Sequence, residues 1–132
     1  MDNWKLFYVF QDPLGSSDSK IGITGSPAVR LGVYQNSYSS RSHLAQFDCV
    51  YYGEKKTVEH LEKVIKQVYD WEIERDGRGF SEWIWNQTSK DIEDKIDEVI
   101  DGYKFKVKKL PKSLLPVNIE NLEEILEHIA EQ

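Results

Sequence analysis

The chain has 132 residues, 39% of them hydrophobic, and this length fits one ordinary domain with a sizeable core. A charged fraction of 30% opposes membrane insertion, and a single cysteine, Cys49, excludes an internal disulfide and a thiolate zinc cluster. The net charge of −6 opposes long-range capture of nucleic acid but leaves room for a small cationic site. We therefore expect a reducing, cytoplasmic location and no export signal.

The first third of the sequence predicts a hairpin followed by a helix. The segment LFYVFQ (6–11) is aromatic and β-branched, and KIGIT (20–24) reads as a second strand after a connection rich in turn formers. Ser26-Pro27 is typical of an N-cap followed by proline at the first helical position. A short helix is therefore expected over PAVRLGVYQ.

The middle of the chain predicts one strand and two amphipathic helices. AQFDCVYYG should form a third strand that ends at Gly53, and Thr57 can cap a helix that runs to about Asp70. A later helix can be capped by Thr88 or Ser89 and should end near Gly102, after FSEWIW, a short strand or loop. The expected inward residues are Val58, Leu61, Ile65 and Val68 in the first helix and Ile92, Ile96, Val99 and Ile100 in the second.

The last thirty residues predict a strand and an acidic helix. YKFKVKK alternates from Tyr103 onward between apolar side chains and lysines, which is typical of a half-buried strand. The inward residues expected of the final helix are Ile119, Leu122, Ile125, Leu126 and Ile129. The tryptophans are expected in the core rather than as platforms for base stacking; they are Trp4, Trp71, Trp83 and Trp85.

Four side chains from the first third can meet on one side of the predicted hairpin and helix. Arg30 and Tyr34 are four residues apart, so they project from one side of the helix. Tyr8 lies on the strand that should pair with the strand of Lys20. A guanidinium and an ammonium suit phosphate, and a phenol beside cations loses its proton more readily. The alternative, favoured for each residue taken singly, is a core Tyr8, a solvated Lys20 and a surface Arg30.

One acid of the helix that follows the third strand is a candidate metal ligand. Glu62 lies beside Leu61 at the border of the apolar stripe, where a carboxylate is partly desolvated. A carboxylate with phosphate oxygens and water is a common way for proteins to hold Mg²⁺. The alternative is an ion pair between Glu62 and Lys66, four residues on, and Glu59 is an equally acidic neighbour. The spacing leaves these interpretations open.

The order of the segments from LFYVF to SEWIW resembles the GIY-YIG nuclease superfamily, particularly the phage and bacterial subgroup with a KIG second motif and a GEWF-like element. Leu6-Phe7-Tyr8 stands where the family has Gly-Ile-Tyr, and Lys20-Ile21-Gly22 where it has Tyr-Ile-Gly. The resemblance covers roughly residues 4 to 100. It implies an α/β fold with a small, mostly antiparallel three-stranded central sheet flanked by helices. Residues 1–102 then form the catalytic domain, and 103–132 add a strand and an amphipathic helix packed on the same unit.

The resemblance also implies a catalytic role for each of the five candidate residues. Tyr8 helps to activate the attacking water, and Lys20 lies near that water. Arg30 stabilises the charge on the scissile phosphate, while Tyr34 accepts or relays the proton. Glu62 binds the single divalent ion, Mg²⁺ or Mn²⁺, so the implied activity is metal-dependent.

Further matches concern contacts outside these five residues. Glu82-Trp83 corresponds to the GEWF-like element, whose implied role is structural, and Asn86 to an asparagine that some members place near the site. The polar aromatic loop with Arg41 and His43 could touch a nucleic-acid strand, although a plain solvated loop is the alternative. The lysines between Lys104 and Lys112 could bind phosphates, but lysines on an edge strand also prevent unwanted pairing.

The sequence therefore predicts a metal-dependent DNA endonuclease that hydrolyses phosphodiester bonds. The alternative is a catalytically inactive relative of this fold that binds nucleic acid or protein. Catalytic domains of this kind commonly depend on an attached recognition domain, so either low sequence preference or a separate recognition partner would follow. A homodimer is the other association considered, and no membrane is expected as a partner. A virus-encoded chain of this subgroup would act in the cytoplasm of its host.

Overall fold

A computed structural model describes residues 3–35, 46–73 and 83–131. Within these ranges the strands are β1 (Trp4–Gln11), β2 (Ser19–Thr24), β3 (Cys49–Glu54), β4 (Trp83–Ile84) and β5 (Val107–Lys109). The helices are α1 (Pro27–Gln35), α2 (Lys55–Val68), α3 (Ser89–Tyr103) and α4 (Leu122–Ala130), with a 3₁₀ turn at Lys112–Leu114. The fold is thus α/β, as the sequence predicts.

The sheet has five antiparallel strands in the order β4-β2-β1-β3-β5. The expected hairpin and third strand form its centre, with Tyr8 opposite Gly22 on one side and Val50 on the other. The three central strands are as expected, and β4 and β5 add one strand at each edge of the sheet. Strand β5 lies within YKFKVKK, the predicted C-terminal strand, and β4 lies within FSEWIW, a predicted short strand or loop.

Helices cover both faces of the sheet, which is why β1 is almost continuously apolar. Its even-numbered residues Leu6, Tyr8 and Phe10 share a core cluster with side chains of α1 and α4. The odd-numbered Phe7 and Val9 belong to a second cluster with α2 and α3. Because successive strand residues point to opposite sides, these clusters define two faces, here called the first face (α1 and α4) and the second face (α2 and α3).

The helix that follows β3 starts earlier and faces differently from the sequence expectation. Helix α2 begins at Lys55 instead of after Thr57, and its N-cap Glu54 makes no side-chain capping bond. Val68, an expected core residue, is 45% exposed, whereas Tyr69 is only 6% exposed. The helix ends at Val68, so the backbone turn at Tyr69 brings that ring, and not Val68, onto the second face.

Helix α3 ends later than expected and shortens the strand predicted after it. Thr88 caps the helix through a capping box with Asp91, as one of the two sequence alternatives proposed. The helix continues through Tyr103 and ends where Lys104 adopts a left-handed conformation, φ 57°, with its N–H donating to the Ile100 carbonyl. The strand predicted from Tyr103 therefore begins only at Val107, and Tyr103 is 62% exposed.

The C-terminal elements complete the same sheet and its first face. Strand β5 pairs with β3, and Gly53 allows close approach, because an added Cβ there would lie 3.2 Å from the Lys106 carbonyl oxygen. The buried residues of α4 join the core of Tyr8; they are Leu122, Ile125 and Ile129. Ile119, expected to point inward, precedes the helix and is 41% exposed.

The four tryptophans differ in their exposure to solvent. Trp83 is buried, but Trp71 is 91% exposed and Trp85 is 45% exposed, so the expectation that all tryptophans lie in the core is wrong for these two. In the part of the chain that the structure describes, no helix combines the length and apolar character needed to cross a bilayer.

Candidate functional site

Two tyrosines from distant segments share a short hydrogen bond on the first face. The hydroxyl oxygens of Tyr8 and Tyr34 lie 2.6 Å apart, and both side chains are buried. Strand alternation directs Tyr8 to this face, where its ring stacks on Phe47 with centroids 4.3 Å apart. Tyr34 comes from α1 and packs edge-on against Phe10 at 5.4 Å. Ring packing of Tyr8 on Phe47 and of Tyr34 on Phe10 thus holds the two hydroxyl groups in place.

Two cations flank the Tyr34 ring. Lys20 is paired with Phe10 across the sheet, so its side chain is on the first face, and its Nζ lies 4.8 Å from the centroid of Tyr34. The Cζ atom of Arg30 lies 6.0 Å from the same centroid. These are cation–π distances. The structure thus brings together Tyr8, Lys20, Arg30 and Tyr34, a set we call the phenol–cation cluster.

The alternative holds for Tyr8, which is in the core, and for Arg30, which is on the surface, while Lys20 is half-buried rather than solvated. Tyr8 is a core residue, only 1% exposed, yet its hydroxyl is bonded to Tyr34. Arg30 is a surface residue on α1, and its N–H donates to the Ser26 carbonyl in the first turn, as expected of a helix opened by Ser26-Pro27. Tyr8 is buried, Lys20 is half-buried and Arg30 is exposed. The two cations are therefore the members of the cluster that can contact a phosphate.

Glu62 is not part of this cluster. It lies on α2, whose buried residues Leu61 and Ile65 pack with Phe7 on the second face. One carboxylate oxygen is 3.6 Å from Nζ of Lys66, the ion pair that the sequence offers as the alternative. Burial raises the pKa of Glu62, while the charge and hydrogen bond of Lys66 and the charge of Lys5 partly offset that increase. The Tyr8 side chain thus points to the first face of the sheet, whereas the helix that carries Glu62 covers the second face.

The raised pKa of Glu62 predicts that its charge destabilises the fold near neutral pH. The folded state favours the protonated carboxyl, so its contribution to stability falls as the pH rises above the ordinary value of 4.5. We expect Glu62→Gln to increase the free energy of unfolding at pH 7 by up to about 1 kcal/mol, with no gain at pH 4. Urea unfolding at both pH values measures this, and a less stable variant at pH 7 would contradict it.

Of the remaining single-residue candidates for contact with nucleic acid, Asn86 is the one within the described residues. Asn86 is exposed, has φ 59°, and its N–H donates to Asp18 Oδ1 at 3.0 Å, so it forms the turn after β4. Arg41 and His43 lie outside the described residues, and so does Glu82 of the GEWF-like element. Their expected contacts stay predictions.

Trp83 is a contributor that sequence reasoning underestimated. It is paired with Lys20 across β2 and β4, and its ring lies 5.7 Å from Lys20 Nζ. It also packs edge-on against Phe10 at 5.5 Å. Lys20 therefore stands between two aromatic rings, Trp83 and Tyr34, which orients its ammonium. Trp83 stands out as an aromatic residue in SEWIW, but β4 has only two residues and is too short for an alternating pattern that would assign Trp83 to one face of the sheet.

A second group of titratable side chains lies on the second face and was missed by the sequence reasoning. Lys109 Nζ is 2.7 Å from Glu93 Oε2 and 2.8 Å from Asp97 Oδ2. The Tyr51 hydroxyl donates to Asp97 Oδ1 at 2.7 Å, and the Cys49 thiol lies 3.8 Å from Glu93 Oε2. We call this set the Lys109 cluster. The sequence pattern indicates this placement, because successive strand residues point to opposite faces and Lys109 therefore points to the face opposite to that of Lys108 and Lys106.

The Lys109 cluster is an ionic contact between β5 and α3 rather than a reactive site. Burial raises the pKa of Cys49 to about 12, so its thiol stays protonated at neutral pH. Burial also raises the pKa of Tyr51, and its hydrogen bond with Asp97 adds to this increase. Burial thus opposes ionisation of both groups near neutral pH.

Acidic, histidine and cysteine side chains do not gather into a group of three or more metal ligands in the described ranges.

Comparison of the chain with protein-family models, curated proteins and solved structures gives no match.

Proposed function

We propose that this protein is a DNA endonuclease that hydrolyses phosphodiester bonds at the phenol–cation cluster. The observation that carries the proposal is the 2.6 Å contact between the hydroxyls of Tyr8 and Tyr34 beside two cations. A hydroxyl pair supplies a proton acceptor, and the cations supply charge for a phosphate. The resemblance in motif order to GIY-YIG nucleases supports the same assignment.

The cations bind and the phenols handle the proton. Arg30 is exposed and presents a planar guanidinium, which can hold two phosphate oxygens and the charge that develops on them. Lys20 adds a point charge next to Tyr34. Tyr34, deprotonated, accepts a proton from water as the water oxygen bonds to phosphorus. The bond from phosphorus to one sugar oxygen breaks, and that oxygen takes a proton from solvent.

Tyr8 acts through Tyr34 and is therefore a positioning residue. It is almost fully buried, and the bond between its hydroxyl and the Tyr34 oxygen links it to the reaction. A hydroxyl that donates to a phenolate favours the charged form. Tyr8 thus helps Tyr34 to act as a base near neutral pH.

The divalent ion expected at Glu62 does not fit this cluster. Glu62 belongs to the helix on the second face, and its carboxylate is paired with Lys66. An ion held there would not touch the phosphate bound by Lys20 and Arg30 on the first face. A requirement for Mg²⁺ or Mn²⁺ therefore stays a prediction, and no step above depends on it.

The placement of Glu62 favours a second candidate function, a non-catalytic module that binds nucleic acid or protein. In such a module the cations of the cluster bind a phosphate or an acidic partner, and the phenol pair has only a structural role. The two functions differ in whether removal of one hydroxyl changes a reaction rate.

Plasmid cleavage with matched phenylalanine variants tests the proposal. The wild type is incubated with supercoiled plasmid in Mg²⁺, Mn²⁺ or a chelator, beside Tyr34→Phe and Tyr8→Phe. We expect Tyr34→Phe to lower the cleavage rate by about 100-fold, which is the size of a lost general base. Tyr8→Phe should shift the pH–rate profile to higher pH, because the phenolate loses its donor.

Both variants keep the aromatic ring, so circular dichroism should show that they fold like the wild type. A folded wild type that leaves the plasmid intact under all three conditions would favour the non-catalytic module. Cleavage by Tyr34→Phe at the wild-type rate would remove the phenol pair from the chemistry.

A further inference from the structure

Four exposed lysines gather where β5 meets the start of α2. Lys106 and Lys108 flank Val107, which is paired with Gly53, and Lys55 and Lys56 begin α2 two residues beyond Gly53. The Lys106 carbonyl oxygen would lie 3.2 Å from a Cβ at Gly53, so the two segments are in contact. We call these four residues the lysine corner.

The lysines of this corner differ from most others in the described residues. None of them forms an ion pair with a carboxylate in the described part of the chain. Five other lysines of the described residues lie 2.7 to 3.6 Å from a carboxylate; they are Lys66, Lys90, Lys95, Lys104 and Lys109.

The corner is positive on a chain whose net charge is −6. Helix α2 has no acidic residue in its first turn. Two carboxylates are near in sequence, Glu54 before the helix and Glu59 one turn on, and neither forms an ion pair with Lys55 or Lys56. Four ammonium groups against two carboxylates leave a local excess of positive charge, which is what binding of a polyanion requires.

Two lysines of the corner, Lys106 and Lys108, lie on the same face as the phenol–cation cluster, whereas Lys55 and Lys56 begin α2, the helix that covers the second face. Lys108 is opposite Tyr52, a member of the core cluster of Tyr8, so Lys108 and Lys106 project from the first face. Strands β2 and β5 are three spacings apart, about 15 Å across the sheet at about 4.8 Å each. Lys20 and Lys108 are thus within reach of one duplex, whose major groove alone is about 12 Å wide.

We infer that the lysine corner binds the phosphate backbone of duplex DNA while the phenol–cation cluster acts on the same duplex. This rests on the proposed function and adds the means by which an acidic chain holds its substrate. Lysines at phosphates release counterions and supply affinity without reading sequence. Lys106 and Lys108 are two residues apart, about 7 Å along the strand, enough for contact with separate phosphates.

The test compares two triple variants with the same change in net charge. The corner variant is Lys56→Gln, Lys106→Gln and Lys108→Gln, and the control is Lys63→Gln, Lys90→Gln and Lys95→Gln on the exposed sides of α2 and α3. All proteins carry Tyr34→Phe so that the DNA stays intact. Fluorescence anisotropy of a labelled 20-base-pair duplex is measured across a salt series.

We expect the corner variant to reduce the slope of log affinity against log salt by about 2 to 3, since each lost phosphate contact removes about 0.9. The control should keep the parent slope. A corner variant with the slope and affinity of its control overturns the inference, and so does a parent that binds no duplex. Polyglutamate binding that depends on the corner, with DNA binding that does not, assigns the surface to an acidic protein and also overturns it.

Failure of this inference is distinguishable from failure of the proposed function. Equal binding by both triple variants, together with plasmid cleavage by the wild type, removes the lysine corner and leaves the endonuclease. A lower salt slope for the corner variant, with no cleavage by the wild type, removes the endonuclease and leaves a DNA-binding surface.

Discussion

Arg30→Ala is expected to lower the rate of plasmid cleavage by about 100- to 1,000-fold, the usual effect of removing one donor that stabilises developing charge. Arg30 is exposed on α1, so its loss should leave the free energy of unfolding nearly unchanged. The measurement is the rate of conversion of supercoiled plasmid to nicked and linear forms.

Lys63→Ala is the matched control, because it removes one positive charge from an exposed position on α2. Glu62→Gln adds a decisive comparison. The geometry places Glu62 away from the phenol–cation cluster and predicts cleavage at the wild-type rate, whereas the resemblance to GIY-YIG nucleases implies a large loss. Normal cleavage by Arg30→Ala would refute the assignment of the phosphate-binding cation.

Lys109→Met is expected to lower the free energy of unfolding by about 2 to 3 kcal/mol. The Glu93 side chain is only 9% exposed, and loss of Lys109 leaves its charge with Lys90 alone, at 3.7 Å. Removal of one partner of a fully buried pair typically costs about 3 to 5 kcal/mol, but Lys109 keeps 33% of its surface in solvent, which reduces the effect. Urea unfolding at pH 7 gives the value.

The control is Lys95→Met, which breaks the exposed pair with Glu98 and should cost about 0.5 kcal/mol or less. Adding Glu93→Gln to Lys109→Met should recover part of the lost stability, since the buried charge is then gone. A double variant no more stable than Lys109→Met would show that packing of the lysine stem, and not the unpaired carboxylate, causes the loss.

The same cluster predicts lower stability at alkaline pH. Burial lowers the pKa of Lys109, but the hydrogen bonds and charges of Asp97 and Glu93 outweigh burial and hold the pKa above its ordinary value of 10.5. Burial raises the pKa of Cys49 from 9.0 to about 12. Both groups therefore favour the folded state in their protonated forms. The free energy of unfolding declines as the pH rises above the ordinary pKa of each group, 9.0 for Cys49 and 10.5 for Lys109.

The sequence predicted the part of the site that depends on local patterns. Tyr8 and Lys20 reach one face because their strands pair in an antiparallel hairpin, and Arg30 and Tyr34 share one side of α1 because they are four residues apart. The hydroxyl contact between Tyr8 and Tyr34 then follows from the packing of α1 on that face. Each step uses spacing within one element and one turn between neighbours.

The position of Glu62 could not be predicted in this way. Spacing shows which side of α2 is apolar, but not which face of the sheet that side covers. Both faces of β1 are apolar, so Phe7 and Tyr8 offer equally suitable surfaces. The Lys109 cluster could not be predicted for a similar reason, because its members come from β3, α3 and β5 and meet only in the folded chain.

The last thirty residues are a structural part of the sheet and its first face. Strand β5 pairs with β3, and Leu110, Val117 and Ile125 are buried in the cluster that contains Tyr8. Truncation after Gly102 would uncover the apolar side of β3 and leave its backbone N–H and C=O groups open as a sheet edge. Such a fragment is expected to aggregate during expression, so assays of the proposed cleavage call for all 132 residues.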